Sequence, residues 1–196
     1  LIKYFTLVKL LRKGSVYSTT TSLVFRLGPV VSCATAALAL AFFPFAGSQP
    51  LIAFQGDVVV VMYLLGLGRF FTVIAALDTG SPFEGMGAAR EVFFSTLAEL
   101  GTFVVLVVFF RINGSFSLGG YFTGSQPIAI LGTHGALLVL VIVSLFMIML
   151  AENSRVPVDD PATHLELTMI HEVMILDHSG PDLALIELGA FYKLLF

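Results

Sequence analysis

Carboxylates and imidazoles are concentrated in one stretch of this sequence, AENSRVPVDDPATHLELTMIHEVMILDHSGPDLALIELG, which runs from residue 151 to residue 189. Histidine titrates near neutrality, and the pKa of a carboxylate beside a low-dielectric region shifts toward neutrality. These residue types therefore suit proton handling. The same charges also suit docking of a partner protein, and the residue types alone leave both interpretations open.

Metal binding is a weaker interpretation of the same stretch. His164 and His171 are seven positions apart, which corresponds to roughly 10 Å along a helix. They cannot share one metal ion without other ligands, and helical metal sites use closer spacings such as H-E-x-x-H. The single cysteine, Cys33, lies in an apolar run, so an intramolecular disulfide and a cysteine-rich metal or iron–sulfur site are excluded. We expect no metal in this chain.

Two further charges, Arg69 and Glu99, lie inside long apolar segments. An ionisable residue at membrane depth is costly and is functional by default, although a structural ion pair that locks two helices is the alternative. If one span ends near Leu77 and the next begins near Val92, both side chains lie roughly 10–12 Å below the same surface. We therefore predict that they pair, directly or through water.

The apolar segments themselves predict a membrane protein. The chain is 57% hydrophobic and 12% charged, whereas soluble domains average about 25% charged residues. A membrane helix needs about 20 apolar residues, and spans in lipid must be helical. We predict an all-α, polytopic membrane helical bundle forming a single transmembrane domain, 1–196, with spans near 27–46, 58–77, 92–110, 133–151 and 182–196. Residues 1–13 predict an amphipathic helix at the membrane surface.

The positive charges orient this bundle. Residues 1–26, 78–91 and 152–180 fall on one side and carry all the loop lysines and arginines except Arg111. The positive-inside rule places that side in the cytoplasm, which predicts a multi-pass protein of the cytoplasmic (inner) membrane. The same side carries Asp78, Glu84, Arg90 and Glu91. Loop charges are usually solvated, so we give Glu84 and Glu91 little individual weight. The absence of a basic run argues against nucleic-acid binding.

The loop at 152–180 is long enough to be functional. Residues 163–176 predict a helix with an apolar stripe, Leu167, Ile170 and Met174. We expect the loop to be ordered only against a soluble partner, because its charges and short stripe cannot bury themselves alone. Arg155 and Asp159 flank Pro157, which stiffens the chain between them. We predict that Arg155 holds a carboxylate, with Glu152 the nearest candidate.

Two motifs carry a resemblance to a known family. LDTGSPFEGMGAARE, residues 77–91, and the stretch at 151–189 resemble the membrane subunit of energy-converting, membrane-bound [NiFe] hydrogenases of the Ech and formate hydrogenlyase type. That family is homologous to NADH dehydrogenase subunit 1 of complex I, whose A-E-x-x-R-x-P-x-D core is matched by Ala151, Glu152, Arg155, Pro157 and Asp159. The family usually has about eight spans, so we expect this sequence to be a fragment.

The resemblance implies a non-catalytic subunit with no cofactor of its own. It would anchor a soluble hydrogenase module, whose nickel–iron centre and iron–sulfur clusters lie in partner subunits, and link H2 evolution to ion movement in antiporter-like membrane subunits. The alternatives are a quinone-chamber subunit of a complex I-like oxidoreductase and an autonomous ion transporter. The ion transporter is disfavoured, because the first and fourth spans lack interior charge.

The candidate site residues form two groups. The first, for proton or charge coupling, forms a polar chain in the cytoplasmic half of the membrane and comprises Arg69, Asp78, Glu99, Glu152 and Glu187. The second, for docking and coupling at the loop, comprises Arg90, Arg155, Asp159, Asp160, Glu166, His171, Glu172 and Asp177.

Overall fold

The computed structural model describes residues 2–45, 49–114, 116–123, 135–156, 158–159 and 169–195. Within these ranges the regular secondary structure is helical. The helices are α1 (Ile2–Leu11), α2 (Leu23–Leu40), α3 (Asp57–Asp78), α4 (Pro82–Asn113), α5 (Leu118–Thr123), α6 (Gly135–Glu152), α7 (His171–Met174) and α8 (Pro181–Lys193). Four of them, α2, α3, α4 and α6, are long and apolar enough to cross a membrane. The protein is a multi-pass, all-α membrane protein.

Local signals set where the first long helix begins and ends. Ser22 caps α2, because its hydroxyl accepts a hydrogen bond from the Val24 backbone N–H. The helix therefore starts before the span predicted at 27–46. It ends at Leu40, four residues before Pro44, which cannot continue a helix.

The connection between α3 and α4 is much shorter than expected. The sequence suggested a loop at 78–91, and that expectation is wrong, because the structure has a three-residue turn, 79–81. Gly80 adopts a left-handed conformation with φ of 72°, and Pro82 occupies the first turn of α4. Glu84, Arg90 and Glu91 therefore lie on α4 itself. With 32 residues, α4 is roughly 48 Å long and exceeds the thickness of the hydrocarbon core.

Helix α2 lies against both α3 and α8, and small residues allow the close approach. A Cβ atom added at Gly68 of α3 would lie 2.5 Å from the Thr35 hydroxyl oxygen, and one added at Gly28 of α2 would lie 2.8 Å from the Ala75 Cβ. Helix α4 lies against α6 and α7. This arrangement brings α3, α4, α6 and α8 around one volume near the cytoplasmic ends predicted from sequence.

The segment at 169–180 packs back onto the bundle. Ile170, Val173 and Met174 are each at most 2% exposed, and Met174 joins a core cluster with residues of α3, α4 and α8. The expectation that this loop cannot bury its apolar stripe alone is therefore wrong for these residues. The described helix, α7, is four residues long. Residues 169–170 and 175–176 on either side of it are not helical. The rest of the helix predicted at 163–176, including His164 and Leu167, lies outside the described residues.

Helix α1 and helix α8 run side by side in opposite directions. Tyr4 and Leu7 share a cavity with the last turns of α8, whereas the backbone of Lys13 and Gly14 contacts Gly180 at its start. The backbone N–H of Val16 also donates to the Ser179 hydroxyl oxygen at 3.1 Å. The segment that follows α1 therefore closes over the start of α8.

Candidate functional site

Arg69 is the centre of a buried ionic cluster. Its Nη2 lies 2.5 Å from Glu152 Oε2, its Nη1 lies 3.3 Å from Glu99 Oε1, and its Nε lies 3.9 Å from Glu91 Oε1. The three carboxylates come from two helices, α4 and α6, and Arg69 from α3. The contact predicted between Arg69 and Glu99 is confirmed. The equal depth from which it was predicted is wrong, because Glu99 lies 17 residues, roughly 26 Å, from the start of α4, whereas Arg69 lies nine residues, roughly 14 Å, from the end of α3. One guanidinium thus faces three acidic groups. It can bind all three because it has five N–H donors in a planar fork.

The tight turn between α3 and α4 explains why these residues meet. Arg69 precedes the end of α3 at Asp78 by nine residues, and Glu91 follows the start of α4 at Pro82 by nine. Since the two ends are nearly adjacent, both residues lie roughly 14 Å from the turn. Glu99 is two turns further along α4, and the long arginine side chain reaches it. The matched level follows from helix geometry alone.

The cluster is asymmetric in its exposure. The Arg69 side chain is 8% exposed and that of Glu91 is 11% exposed, whereas that of Glu99 is 46% exposed. An unpaired arginine at the bilayer centre costs about 2.5–3.5 kcal/mol on insertion scales, so pairing is the favourable state for Arg69. Glu99 is the end of the cluster that reaches the surface of the described bundle.

Glu91 belongs to this cluster, although sequence analysis gave it little weight. Its second carboxylate oxygen accepts a hydrogen bond from the Ser154 hydroxyl at 3.3 Å. Ser154 holds a positive φ of 46°, a conformation uncommon for a residue with a side chain. The signal that could have identified Glu91 is Ser81-Pro82, a helix start that places Glu91 on the same continuous helix as Glu99.

A cavity of about 250 Å³ opens beside the cluster. Its acidic lining residues are Glu91, Glu152, Asp159, Glu172 and Glu187, and its basic ones are Arg155, His171 and Lys193. Glu187, on α8, is itself exposed. Sequence analysis had placed all of these among the candidate site residues except Glu91 and Lys193. Lys193 was missed because it is the last residue of α8, where a cation is typical of a helix C-terminus.

Asp159 anchors α7 at the edge of this cavity. Its two carboxylate oxygens accept hydrogen bonds from the backbone N–H groups of Ile170 and His171, at 3.2 and 2.9 Å. Asp159 is 4% exposed. Burial, together with the nearby Lys193, lowers the pKa of His171 to about 4, while Asp159 opposes the shift. His171 is therefore neutral at pH 7, so one ring nitrogen can accept a hydrogen bond in the cavity and the other can donate one.

Arg155 does not pair with Glu152, the nearest candidate named from the sequence. Glu152 binds Arg69 instead, and among the residues that the structure describes no carboxylate lies within 4.0 Å of Arg155. Glu152 ends α6, and its side chain reaches Arg69 on α3, whereas Arg155 lies beyond the helix end and is exposed. The Arg155 backbone carbonyl accepts from the backbone N–H of Asp159, so the residue still shapes the loop.

Two further cavities continue from the cluster toward the side of the bundle. One of about 140 Å³ lies among Arg69, Glu99 and Glu152, with apolar walls from α3, α4 and α6. Another of about 370 Å³ is lined by Glu99 together with Met62, Tyr63, Gly66, Leu67, Phe70 and Phe103. Polar groups and space therefore extend from the loop cavity through Arg69 to Glu99.

Other predicted residues lie apart from the Arg69 cluster. Asp78 accepts a hydrogen bond from the Ser22 backbone N–H at 2.6 Å and so ties α3 to the start of α2. Arg90 donates to the Met169 carbonyl oxygen at 3.2 Å. Asp177 is exposed, and its backbone N–H donates to Glu84. Asp160 and Glu166 lie outside the described residues.

A second buried polar group, also missed in the sequence, lies near the start of α8. His178 is 4% exposed and stacks on Phe25 with ring centroids 4.0 Å apart. Burial lowers the pKa of His178 to about 4, against the opposing effect of Asp182 and Asp177. Glu84 is 1% exposed, and its Oε1 accepts from the Asp177 backbone N–H at 3.2 Å. Both residues hold the turn at 175–180 onto the bundle.

Metal coordination has no support in the described part of the chain, where no group of three or more histidine, cysteine, aspartate or glutamate side chains is arranged to hold an ion. The site instead consists of paired charges, a neutral histidine and cavities. Such an arrangement can hold and relay protons or transmit a change of charge.

Comparison with known proteins identifies the family. The profile described as NADH dehydrogenase matches residues 1–196. The chain belongs to the NADH dehydrogenase family. It is 33% identical over 192 residues to hydrogenase-4 component C of Escherichia coli K12, covering 94% of this chain and 57% of that protein. It is 36% identical over 116 residues to formate hydrogenlyase subunit 4 of the same organism, covering 58% of this chain and 37% of that protein.

Two more distant similarities are found, one in sequence and one in fold. An NADH-quinone oxidoreductase subunit of Rickettsia conorii is 24% identical over 189 residues, covering 96% of this chain and 54% of that protein. A chain in the structure of the membrane-bound sulfane sulfur reductase, an archaeal respiratory membrane complex, superposes with a TM-score of 0.78 at 18% identity, covering 98% of this chain and 62% of that one. This NADH dehydrogenase family chain thus spans somewhat more than half the length of these relatives.

Proposed function

We propose that this chain is the membrane anchoring and coupling subunit of a membrane-bound [NiFe] hydrogenase complex, linking H2 evolution to proton or ion translocation. The likeness to hydrogenase-4 component C and formate hydrogenlyase subunit 4 supports the class of complex. The observation that carries the coupling role is Arg69, which faces carboxylates from two helices between the loop cavity and the half-exposed Glu99.

The coupling step follows from sharing one cation among three acids. When a proton from the cavity neutralises Glu91 or Glu152, Arg69 loses part of its attraction on that side. Its interaction with Glu99 then strengthens, because fewer negative charges share the one cation. His171, neutral beside the same cavity, can relay the proton by accepting it at one ring nitrogen while releasing one from the other. The chain thereby converts a charge change at the loop into one at the side of the bundle.

The docking surface for a soluble partner is the exposed part of the loop, on the side predicted to be cytoplasmic. Arg155, Val156, Glu172, Leu176 and Asp177 are exposed there, while Asp159 and Arg90 fix the backbone beneath them. A soluble redox module would contact this surface, and its nickel–iron centre and iron–sulfur clusters would carry the electron chemistry. This chain would contribute no cofactor, and antiporter-like membrane subunits would receive the signal at Glu99.

The second candidate is a quinone-chamber subunit of a complex I-like oxidoreductase. It is favoured by the likeness to the NADH-quinone oxidoreductase protein of Rickettsia conorii, which is weaker than the likeness to the hydrogenase subunits. The two candidates differ in the electron acceptor. In the hydrogenase, protons are reduced in the partner module, whereas the oxidoreductase needs a quinone beside the loop.

Purification of the complex through a tag on the full-length protein separates the two candidates. We expect nickel in stoichiometric amount and H2 evolution from a reduced low-potential donor. A complex without nickel that reduces a quinone analogue would overturn the hydrogenase proposal in favour of the second candidate.

Glu99→Gln tests the coupling role. The substitution keeps the side-chain shape and removes the charge, so we expect ion movement per H2 to fall several-fold while complex yield changes little. Tyr63→Phe is the matched control, because Tyr63 is exposed in the same lateral cavity and carries no charge. Unchanged coupling in Glu99→Gln, measured as the pH change across vesicles, would contradict the role.

A further inference from the structure

An apolar groove lies between α1 and α8, away from the ionic cluster. Its volume is about 500 Å³, and it is lined by Tyr4 and Leu7 of α1 and by Leu188, Phe191, Tyr192 and Leu195 near the end of α8. Among the described residues, no charged side chain lines the groove. Its walls therefore suit a hydrocarbon chain and give a charged peptide or a free anion nothing to bind.

The charges near this groove are all at one end. Because α1 and α8 run in opposite directions, the last residues of α1 lie beside the start of α8, where Lys13 and Gly14 contact Gly180. Lys9, Arg12 and Lys13 occupy this end of α1 and its continuation, and each is exposed. Among the described residues, no carboxylate lies within 4.0 Å of any of the three.

The dimensions match one leaflet of a membrane. From Pro181 to Leu195 the chain rises roughly 21 Å if helical throughout, while half of the hydrocarbon core is about 15 Å. The basic end of the groove is on the side that the positive-inside rule assigns to the cytoplasm. The groove itself lies along the deeper half of α8, from Leu188 to Leu195, roughly 10–21 Å from the basic end. An acyl chain whose headgroup lies at the three cations would reach this depth.

We propose that this groove is a binding site for an anionic glycerophospholipid, with an acyl chain between α1 and α8 and the phosphate near Arg12 and Lys13. Basic residues beside an apolar surface attract anionic lipids through their charge and retain them through the buried chain. Phe5, Val8 and Leu11 of α1 are also exposed and let the same helix contact the surrounding bilayer. This proposal does not depend on the hydrogenase assignment.

The test measures lipid retained by the full-length protein, in whatever complex it is purified, after transfer from nanodiscs of phosphatidylglycerol and phosphatidylcholine to detergent. We expect native mass spectrometry to show retained phosphatidylglycerol in preference to phosphatidylcholine. Arg12→Gln with Lys13→Gln should lower phosphatidylglycerol retention by about 25-fold, since each basic residue near an anionic surface strengthens attraction by roughly a factor of five. Both residues are exposed, so the double variant should fold.

Arg111→Gln is the matched control, because Arg111 is an exposed arginine at the far end of α4, on the opposite side of the membrane. It should leave retention unchanged. Leu7→Trp fills the groove and should lower retention of both lipids. Equal retention of the two lipids, equal losses in the double variant and in Arg111→Gln, or a neutral isoprenoid or a protein segment found in the groove would each overturn the proposal.

Discussion

At the scale of single residues, the cluster around Arg69 depends on one buried guanidinium. Glu91 and Glu152 both face it from the loop cavity, and neither has a second cation within 4.0 Å among the residues described. Lys193 lines the same cavity but makes no such contact there. Arg69 is therefore the group whose removal leaves the most charge unpaired.

Arg69→Met should lower the stability of the purified protein by about 3–5 kcal/mol, because breaking a buried pair leaves the partner charge uncompensated. Arg69→Lys should be intermediate, since lysine keeps the charge but not the planar fork. Thermal unfolding in detergent measures both effects. Arg111→Met, at an exposed arginine, is the control, and equal melting of Arg69→Met and this control would refute the pairing argument.

His178 predicts a pH dependence of stability. Burial lowers its pKa to about 4 in the fold, whereas an unfolded histidine titrates near 6.5. Between these values the unfolded chain binds more protons, so this contribution to stability is complete above about pH 6.5 and falls as pH drops toward 4. His178→Leu removes it, and melting temperatures at pH 7 and pH 4.5 should then differ less than in the wild type. An unchanged difference would show that His178 is not buried in its neutral form.

At the scale of elements, the contact between α2 and α3 positions Arg69. Gly28 lies where a Cβ would be 2.8 Å from the Ala75 Cβ and 3.2 Å from the Phe71 carbonyl oxygen. Neither atom is the end of a flexible side chain, so the helices must separate to accept a methyl group. Since α3 carries Arg69, separation of these helices would also disturb its contacts with α4 and α6.

Gly28→Ala should therefore destabilise the protein by about 1–3 kcal/mol, the usual cost of overpacking. Gly85→Ala is the matched control, because Gly85 is also helical and a Cβ there meets nothing within 4 Å. Helix propensity alone should make that variant neutral or more stable by about 0.5–1 kcal/mol. If thermal unfolding shows the same change in both variants, the close approach of α2 and α3 has no energetic role.

At the scale of the whole molecule, orientation decides which face meets a soluble partner. The loop cavity, α7 and the basic end of α1 lie together, whereas Asp57, at the start of α3, binds Ser117 and Leu118 at the opposite ends of the helices. The positive-inside rule assigns the first face to the cytoplasm. Labelling of introduced cysteines can test this assignment directly.

Single cysteines introduced at Thr19 and at Leu51 should label from opposite sides. Both positions are exposed, and they lie at opposite ends of α2. The native Cys33 is 8% exposed and should give little background. In intact cells an impermeant maleimide should modify the cysteine at position 51, and the one at position 19 only after permeabilisation. The reverse pattern would invert the topology and remove the cytoplasmic docking surface.

The sequence by itself determined the spans and one essential contact. Long apolar segments specify membrane helices because lipid leaves the backbone no other hydrogen-bond partner. Arg69 and Glu99 could be paired because they lie on consecutive helices, and a charge at that depth needs a partner. Both conclusions use only local spacing, which the sequence contains directly. The family motifs at 77–91 and 151–189 were equally visible.

Only the tertiary structure decided which other groups join Arg69. Glu152 bonds to Arg69 instead of the nearby Arg155, because long-range packing carries the end of α6 to α3. Glu91 entered the cluster because the turn between α3 and α4 has three residues, a length that apolar composition does not specify. The burial of α7 likewise depends on a surface made by other helices. Such contacts join residues far apart in sequence, and their energies exist only once the helices have packed.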